Sequence, residues 1–170
     1  MRLYGIQVAL LPPMADRTDR TYIDRQGLVL VADSVSESRD RLQHLLEQAG
    51  YTVVVVPTEE AGAASRSLHP GAVVLQLGDP AVTGLGMVRE FRTHAETRGT
   101  PLIILLRFDD AHTRELIVRA GATAILIEPV KPSALLRHLR RLLARAMATG
   151  TNPATQHLAG APVSGEIQRG

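Results

Sequence analysis

The chain has 170 residues, mass for about one domain, with 45% apolar and 21% charged residues, the ordinary balance of a globular protein. Nineteen Lys and Arg against seventeen Asp and Glu leave +2, too small an excess for an electrostatic footprint on duplex DNA, and the five aromatics (Tyr4, Tyr22, Tyr51, Phe91 and Phe108) speak against a stacking platform for single strands. Without cysteine there is no disulfide, no thiolate metal site and no Cys nucleophile, which fits a reducing, cytoplasmic setting.

Residues 1–27 read as a flexible leader. Leu3 to Leu11 is apolar but ends at Pro12-Pro13, short of the roughly 20 residues of a membrane helix. It also lacks a small-residue cleavage site, so it makes a poor signal peptide. From residue 28 the pattern becomes regular. A strand is expected at Leu28–Ala32, then a helix over Ser36–Ala49 with Leu42, Leu45, Leu46 and Ala49 on one face, closed by Gly50. A strand at Thr52–Val56 follows, then a helix from Thr58 to Leu68 that opens on a capping Thr58 with Glu59 and Glu60 at its positive end. Next come a strand at Ala72–Leu77, a helix at Leu85–Ala95, a strand at Pro101–Leu106 and a helix at Ala111–Ala120 closed by Gly121. Thr123–Ile127 is the last strand. The last helix, 132–147, carries Leu135, Leu136, Leu139, Leu142, Leu143 and Met147 on one stripe. Residues 148–170 lack the apolar groups to offset their ordering entropy and are expected to be disordered.

The five strands are nearly all apolar, as strands buried on both faces are. Five β-then-α units in residues 28–147 predict a doubly wound α/β domain on a five-stranded parallel sheet. Ligands of such sheets bind beyond the strand carboxyl ends, where strand order reverses. That rule selects Asp33-Ser34, Gln76 to Thr83, Leu106 to Asp110 and Glu128-Pro129 for scrutiny.

Six markers in order and spacing resemble the receiver domain of bacterial two-component response regulators: Val29–Asp33, Gly50–Val53, Pro70–Leu75, the Pro80 to Gly84 loop, Arg119–Ala122 and Glu128-Pro129. The resemblance implies the flavodoxin-like (βα)5 fold with strand order 2-1-3-4-5. It also implies a site made of an acceptor Asp ending the third strand, two acidic residues after the first that hold Mg²⁺, a Ser or Thr after the fourth, and a Lys after the fifth. Such a set joins a nucleophilic carboxylate, a charge-neutralising cation and donors for the phosphoryl product.

This chain departs at most of those positions. The acceptor position, counted from Pro70 and Gly84, is Gln76, an amide that cannot form an acyl phosphate. The hydroxyl position is Leu106, the Lys position is Glu128, and the aromatic switch position is Ile125. Of the acidic pair only Asp33 remains, followed by Ser34. The chain therefore reads as a degenerate pseudo-receiver, a phosphorelay-type signalling module that works by protein contacts and is not an enzyme. Asp79, three residues past Gln76, is the alternative acceptor.

Each residue also has a plainer role. Ser34 with Glu37 spells a capping box, and capping is the role expected of Ser34. Asp33 is expected to accept hydrogen bonds at the strand end, because one carboxylate makes a poor Mg²⁺ site. No cofactor is expected. Gln76 reads as a pocket residue, or as a satisfied polar group at a strand end. Arg107 is expected to pair with Glu128 and to bridge it to Asp33; otherwise both are solvated charges. On the last helix Arg137, Arg140, Arg141 and Arg145 form a solvated face. With Ile125, they make a candidate surface for a protein partner: a histidine kinase, an output protein or a second copy. Neither membrane nor nucleic acid is an expected partner, and the 23 residues after Met147 are too few for a DNA-binding fold.

A flavodoxin-like cofactor binder is the other class considered. Ser34, Ser36 and Ser38 lie at a helix amino terminus where N–H groups can cradle phosphate. Asp33 and Glu37 flank them, however, and both the G-x-G-x-x-G and the G-x-x-x-x-G-K-[ST] patterns are absent.

Overall fold

The apolar runs form strands β1 (Leu28–Ala32), β2 (Thr52–Val56), β3 (Ala72–Leu77), β4 (Leu102–Leu106) and β5 (Ala124–Ile127). They make one parallel sheet in the order β2-β1-β3-β4-β5. The structure, a computed structural model, describes residues 27–78 and 84–149. The expected flexible leader before residue 27, the disordered tail from 150 and the alternative acceptor Asp79 lie outside the described residues.

Burial explains the composition. β3 and β4 are buried along their whole length and β1 over four of its five residues, whereas the edge strands β2 and β5 are only half-buried. Alternate side chains of each strand enter two separate cores. Leu30, Val73, Leu75 and Ile104 pack under helices α2 (Ala61–Leu68), α3 (Leu85–Thr93) and α4 (Ala111–Ala120). Val29, Val31, Val74 and Ile103 pack under α1 (Ser36–Gln48) and α5 (Pro132–Thr149), which contribute Leu46, Leu135 and Leu139. Helices on both faces are what require strands apolar in every position. Each fully buried Leu or Ile contributes roughly 1.5–3 kcal/mol.

Both expected glycine caps close helices. Gly50 has φ +90° and Gly121 φ +113°. The Tyr51 N–H donates to the Leu46 carbonyl at 3.1 Å and the Ala122 N–H to the Ile117 carbonyl at 3.1 Å, the long bond of a Schellman end. The helix expected from Thr58 differs: Thr58–Glu60 is a 3₁₀ turn entered from Pro57, and α2 begins at Ala61. Thr58 does not cap it; its hydroxyl points to the Gln76 carbonyl at 3.4 Å. Helix α3 stops at Thr93, two residues short of expectation, and α5 runs to Thr149, two residues beyond 147.

Candidate functional site

The switch point lies between β1 and β3, since the chain leaves β1 for β2 on one side while β3 flanks the other. A cavity of about 240 Å³ opens at their carboxyl ends, lined by Asp33, Ser34, Thr58, Gln76, Met87 and Arg107 among others. A neighbouring groove of about 660 Å³ between α1 and the start of α5 shares Arg107 and adds Leu42, Leu45, Phe108, Glu128 and Val130.

Asp33 ends β1 and is 2% exposed. Its Oδ1 accepts the Val35 N–H at 2.8 Å, and its main-chain carbonyl accepts Arg39 Nη1 at 2.9 Å. Its Oδ2 is buried without a hydrogen-bond partner. The cap expected of Ser34 does not form. Val35 is the N-cap of α1 with no side-chain cap bond, Asp33 turns the chain, and the Ser34 hydroxyl instead donates to Glu59 Oε2 at 3.4 Å. Asp33 wins because its carboxylate, two residues before Val35, closes a short turn that Ser34 is placed too late to make.

Gln76 ends up buried, 5% exposed, next to last in β3. Its Oε1 accepts the Ser38 hydroxyl at 3.0 Å. Leu106 does not join the cavity; it is fully buried in the core under α2, α3 and α4, as an aliphatic side chain at a strand end should be. Glu128 lines the neighbouring groove instead, with its Oε2 3.8 Å from Arg107 Nε. The expected bridge from Arg107 on to Asp33 does not form: among the described residues Asp33 has no ion pair, and Arg107 reaches Glu128 alone. Both Arg107 and Glu128 are wet, with side chains 49% and 28% exposed, so the pair has little to gain from tighter contact.

The other expected surface divides. Ile125 is half-buried against the core under α4, while Arg137, Arg140, Arg141 and Arg145 stand exposed on α5, across the sheet. Arg137, Arg140 and Arg141 line a shallow groove with Leu136 and Ser133.

Mg²⁺ is the ion the receiver pattern implies. It wants near-octahedral oxygen and usually more than one carboxylate. The described cavity supplies one free carboxylate oxygen, from Asp33, and the Gln76 oxygen is taken by Ser38. No cluster of three or more His, Asp or Glu gathers among the described residues. These residues do not fit the ion, and no chemistry is routed through it.

Sequence reasoning missed Ser38 as the partner of Gln76. The signal was present: position 38 falls on the same inward stripe of α1 as Leu42, Leu45 and Leu46, so a Ser there needs a buried partner. It also missed Arg39, Phe108, which is 72% exposed beside the groove, and Arg92, at the opposite end of the sheet.

The response regulator receiver domain model matches residues 29–140. This chain belongs to the receiver family. It is 30% identical over 125 residues to a probable transcriptional regulator, ycf27, of Porphyridium aerugineum, covering 73% of this chain and 51% of that one. It is 33% identical over 134 residues to the sensory/regulatory protein RpfC of Xanthomonas campestris pv. campestris, covering 77% of this chain and 18% of that one. The chemotaxis protein CheY4 of Vibrio cholerae superposes with a TM-score of 0.62 at 27% identity, covering 68% of this chain and 97% of that one. The chain thus spans about half or less of the length of these curated relatives. Receivers are in general signalling modules of two-component systems, and the sheet order found here is theirs. No described helix is long and apolar enough to cross a membrane.

Proposed function

We propose that this receiver signals through protein contacts and takes no phosphoryl group at the family's acceptor position. The observation that carries the reading is Gln76. Its side chain is an amide whose oxygen already accepts the Ser38 hydroxyl at 3.0 Å, so neither a nucleophile nor a free ligand is offered there. Leu106, withdrawn into the core, supplies no hydroxyl, and Glu128 brings negative charge where the family has positive. On this reading the chain is not an enzyme and binds no Mg²⁺ for function. It works in the cytoplasm with a histidine kinase or an output protein as partner, or a second copy of itself. The exposed arginines of α5 are a surface for such a partner, and neither membrane nor nucleic acid is.

Incubation of the full chain with acetyl phosphate and Mg²⁺, followed by intact-mass measurement, tests the proposal. The expected result is no added phosphoryl group. A stable adduct mapped to Asp79 would overturn the reading and make that residue the acceptor.

A further inference from the structure

The cavity between the ends of β1 and β3 holds a carboxylate whose needs are half met. Asp33 is 2% exposed, its Oδ1 serves the Val35 N–H, and its Oδ2 faces no donor. A buried charged oxygen calls for a donor or a counter-charge, and leaving it without one is among the costlier defects a fold can carry. The two nearest arginines do not answer. Arg39 is spent on the Asp33 main-chain carbonyl at 2.9 Å, and Arg107, though it lines the same cavity, is turned to Glu128. Of the other polar groups in the wall, the hydroxyls of Ser34 and Thr58 turn to Glu59 Oε2 and the Gln76 carbonyl, each at 3.4 Å, and the Gln76 side-chain oxygen is held by Ser38, while Leu77 and Met87 add apolar surface.

We propose that this cavity binds one organic cation, an ammonium or guanidinium group, with its N–H donors on Asp33 Oδ2 and its stem against Met87 and Leu77. A single carboxylate balances a single positive charge, and a nitrogen cation brings the directed donors that the oxygen lacks. A divalent ion would keep unbalanced charge in this cavity, and an anion would face Asp33 directly. The volume of about 240 Å³ equals roughly eight waters at about 30 Å³ each in the liquid, which admits an ammonium or guanidinium group with its stem. The cation has two sources, a free small amine or the Lys or Arg of a protein partner. The inference goes beyond the proposed function and does not rest on it, since it is argued from Asp33 Oδ2 and not from the acceptor position.

The test is a titration of the full chain with methylguanidinium, followed by the Asp33 carboxylate ¹³C signal and by thermal melting, with sodium chloride at matched ionic strength as control. Saturable binding is expected, weakened at least tenfold by Asp33→Asn, which keeps an oxygen for the Val35 N–H and so keeps the turn. Met87→Lys, which carries its own ammonium into the cavity on a stem of similar shape, is expected to keep the fold and abolish probe binding. An acetyl-Gly-Arg-Gly-amide peptide separates the sources. Binding at least tenfold tighter than methylguanidinium assigns the site to a partner's side chain, and equal or weaker binding assigns it to a free amine. The proposal fails if sodium chloride reproduces the shifts, if Asp33→Asn binds as well as wild type, or if Mg²⁺ saturates the same signal more tightly than methylguanidinium.

Discussion

At the amino-terminal edge of the sheet one guanidinium gathers the loose ends of three elements; at the carboxyl-terminal edge the charged groups pair one by one. Arg92, in the last turn of α3, donates from Nε to the Gly121 carbonyl at 2.8 Å and from Nη1 to the carbonyls of Arg98 and Thr100 at 3.0 Å each. Its Nη2 reaches Thr123 Oγ1 at 3.3 Å, and that same oxygen accepts the Leu102 N–H at 2.9 Å. The fork thereby joins the end of α4 to the entries of β4 and β5. Gly121 is part of the fit: a Cβ there would lie 2.7 Å from Arg92 Cγ. At the other edge Asp33 keeps a buried oxygen without a donor, and Arg107 and Glu128 stand 3.8 Å apart in water. The contrast teaches where the fold's polar stabilisation sits. It is concentrated in one side chain at the edge remote from the cavity, whereas the cavity's polar groups make scattered single bonds, so single changes there should cost less.

Breaking the remote edge should give the largest effect. Arg92→Ala strands several carbonyls at helix and strand ends, and hydrogen bonds to charged groups contribute a net of about 1.5–3 kcal/mol each, less where water reaches the stranded group. A loss of about 3 kcal/mol in urea denaturation is expected, with Arg92→Lys recovering only part of it because a single ammonium cannot fork. Burial lowers the pKa of Arg92, but a guanidinium stays charged in proteins, so the loss should not vary with pH near neutrality. A loss below about 1 kcal/mol would show that water replaces the clamp, and the contrast between the edges would collapse.

The next effect is at Asp33, and it has two signs. Asp33→Ala removes the acceptor of the Val35 N–H and should cost about 1 kcal/mol, the usual value of a lost turn or cap acceptor. Asp33→Asn keeps an acceptor and removes a buried charge with no counter-ion, so it should match or exceed wild type in stability. Equal losses for both variants would mean that the charge itself is stabilised by something in the cavity. Paired denaturation curves decide between the two outcomes.

Much of the fold could be read from the residues, for a physical reason. Strands buried on two faces must be apolar throughout, so β1, β2 and β3 were bounded correctly by hydrophobicity alone. Gly50 and Gly121 marked helix ends because only a left-handed residue completes that turn. The site was less legible. Its residue types could be named from the receiver pattern, but not which of them meet. Helix α1 starts without a side-chain cap, Asp33 closes the turn before it, and Gln76 found Ser38, 38 residues away in sequence. Leu106 was drawn inward by its apolar surface. Arg92 was invisible because most of its partners are main-chain carbonyls, which leave no trace in side-chain identity.

Arg107→Ala should have a smaller effect than either. The pair with Glu128 is long and half-exposed, and such pairs contribute well under about 1 kcal/mol. Denaturation at low and high salt should differ from wild type by less than about 0.5 kcal/mol. A larger, salt-sensitive loss would show that Arg107 reaches Asp33 in solution, and the carboxyl edge would then be as well paired as the other.

The smallest effect is expected at Asp110, which among the described residues is the one side chain on the cavity edge that caps a helix. Its Oδ2 accepts the Thr113 N–H at 2.7 Å at the start of α4. Hydrogen bonds from Thr113 are the chief cause holding its pKa below the ordinary 3.8, with His112 adding a weaker pull the same way. A carboxyl whose folded pKa lies below its unfolded value binds protons more readily when unfolded. Its stabilisation is therefore complete above the unfolded value and drains away as pH falls through the lowered folded one. Melting temperatures of wild type and Asp110→Ala should differ slightly near neutrality, and the difference should shrink in acid below the carboxyl range of about 4. Asp110→Asn separates cap from charge, since it retains an acceptor for Thr113 but loses the proton linkage. Its gap from wild type should vanish over the same acid window, while any gap between Asn and Ala should persist there. If the wild-type advantage over Ala instead held constant into acid, the bond to Thr113 would not depend on the charge. The cavity edge would then owe what little polar stability it has to shape alone.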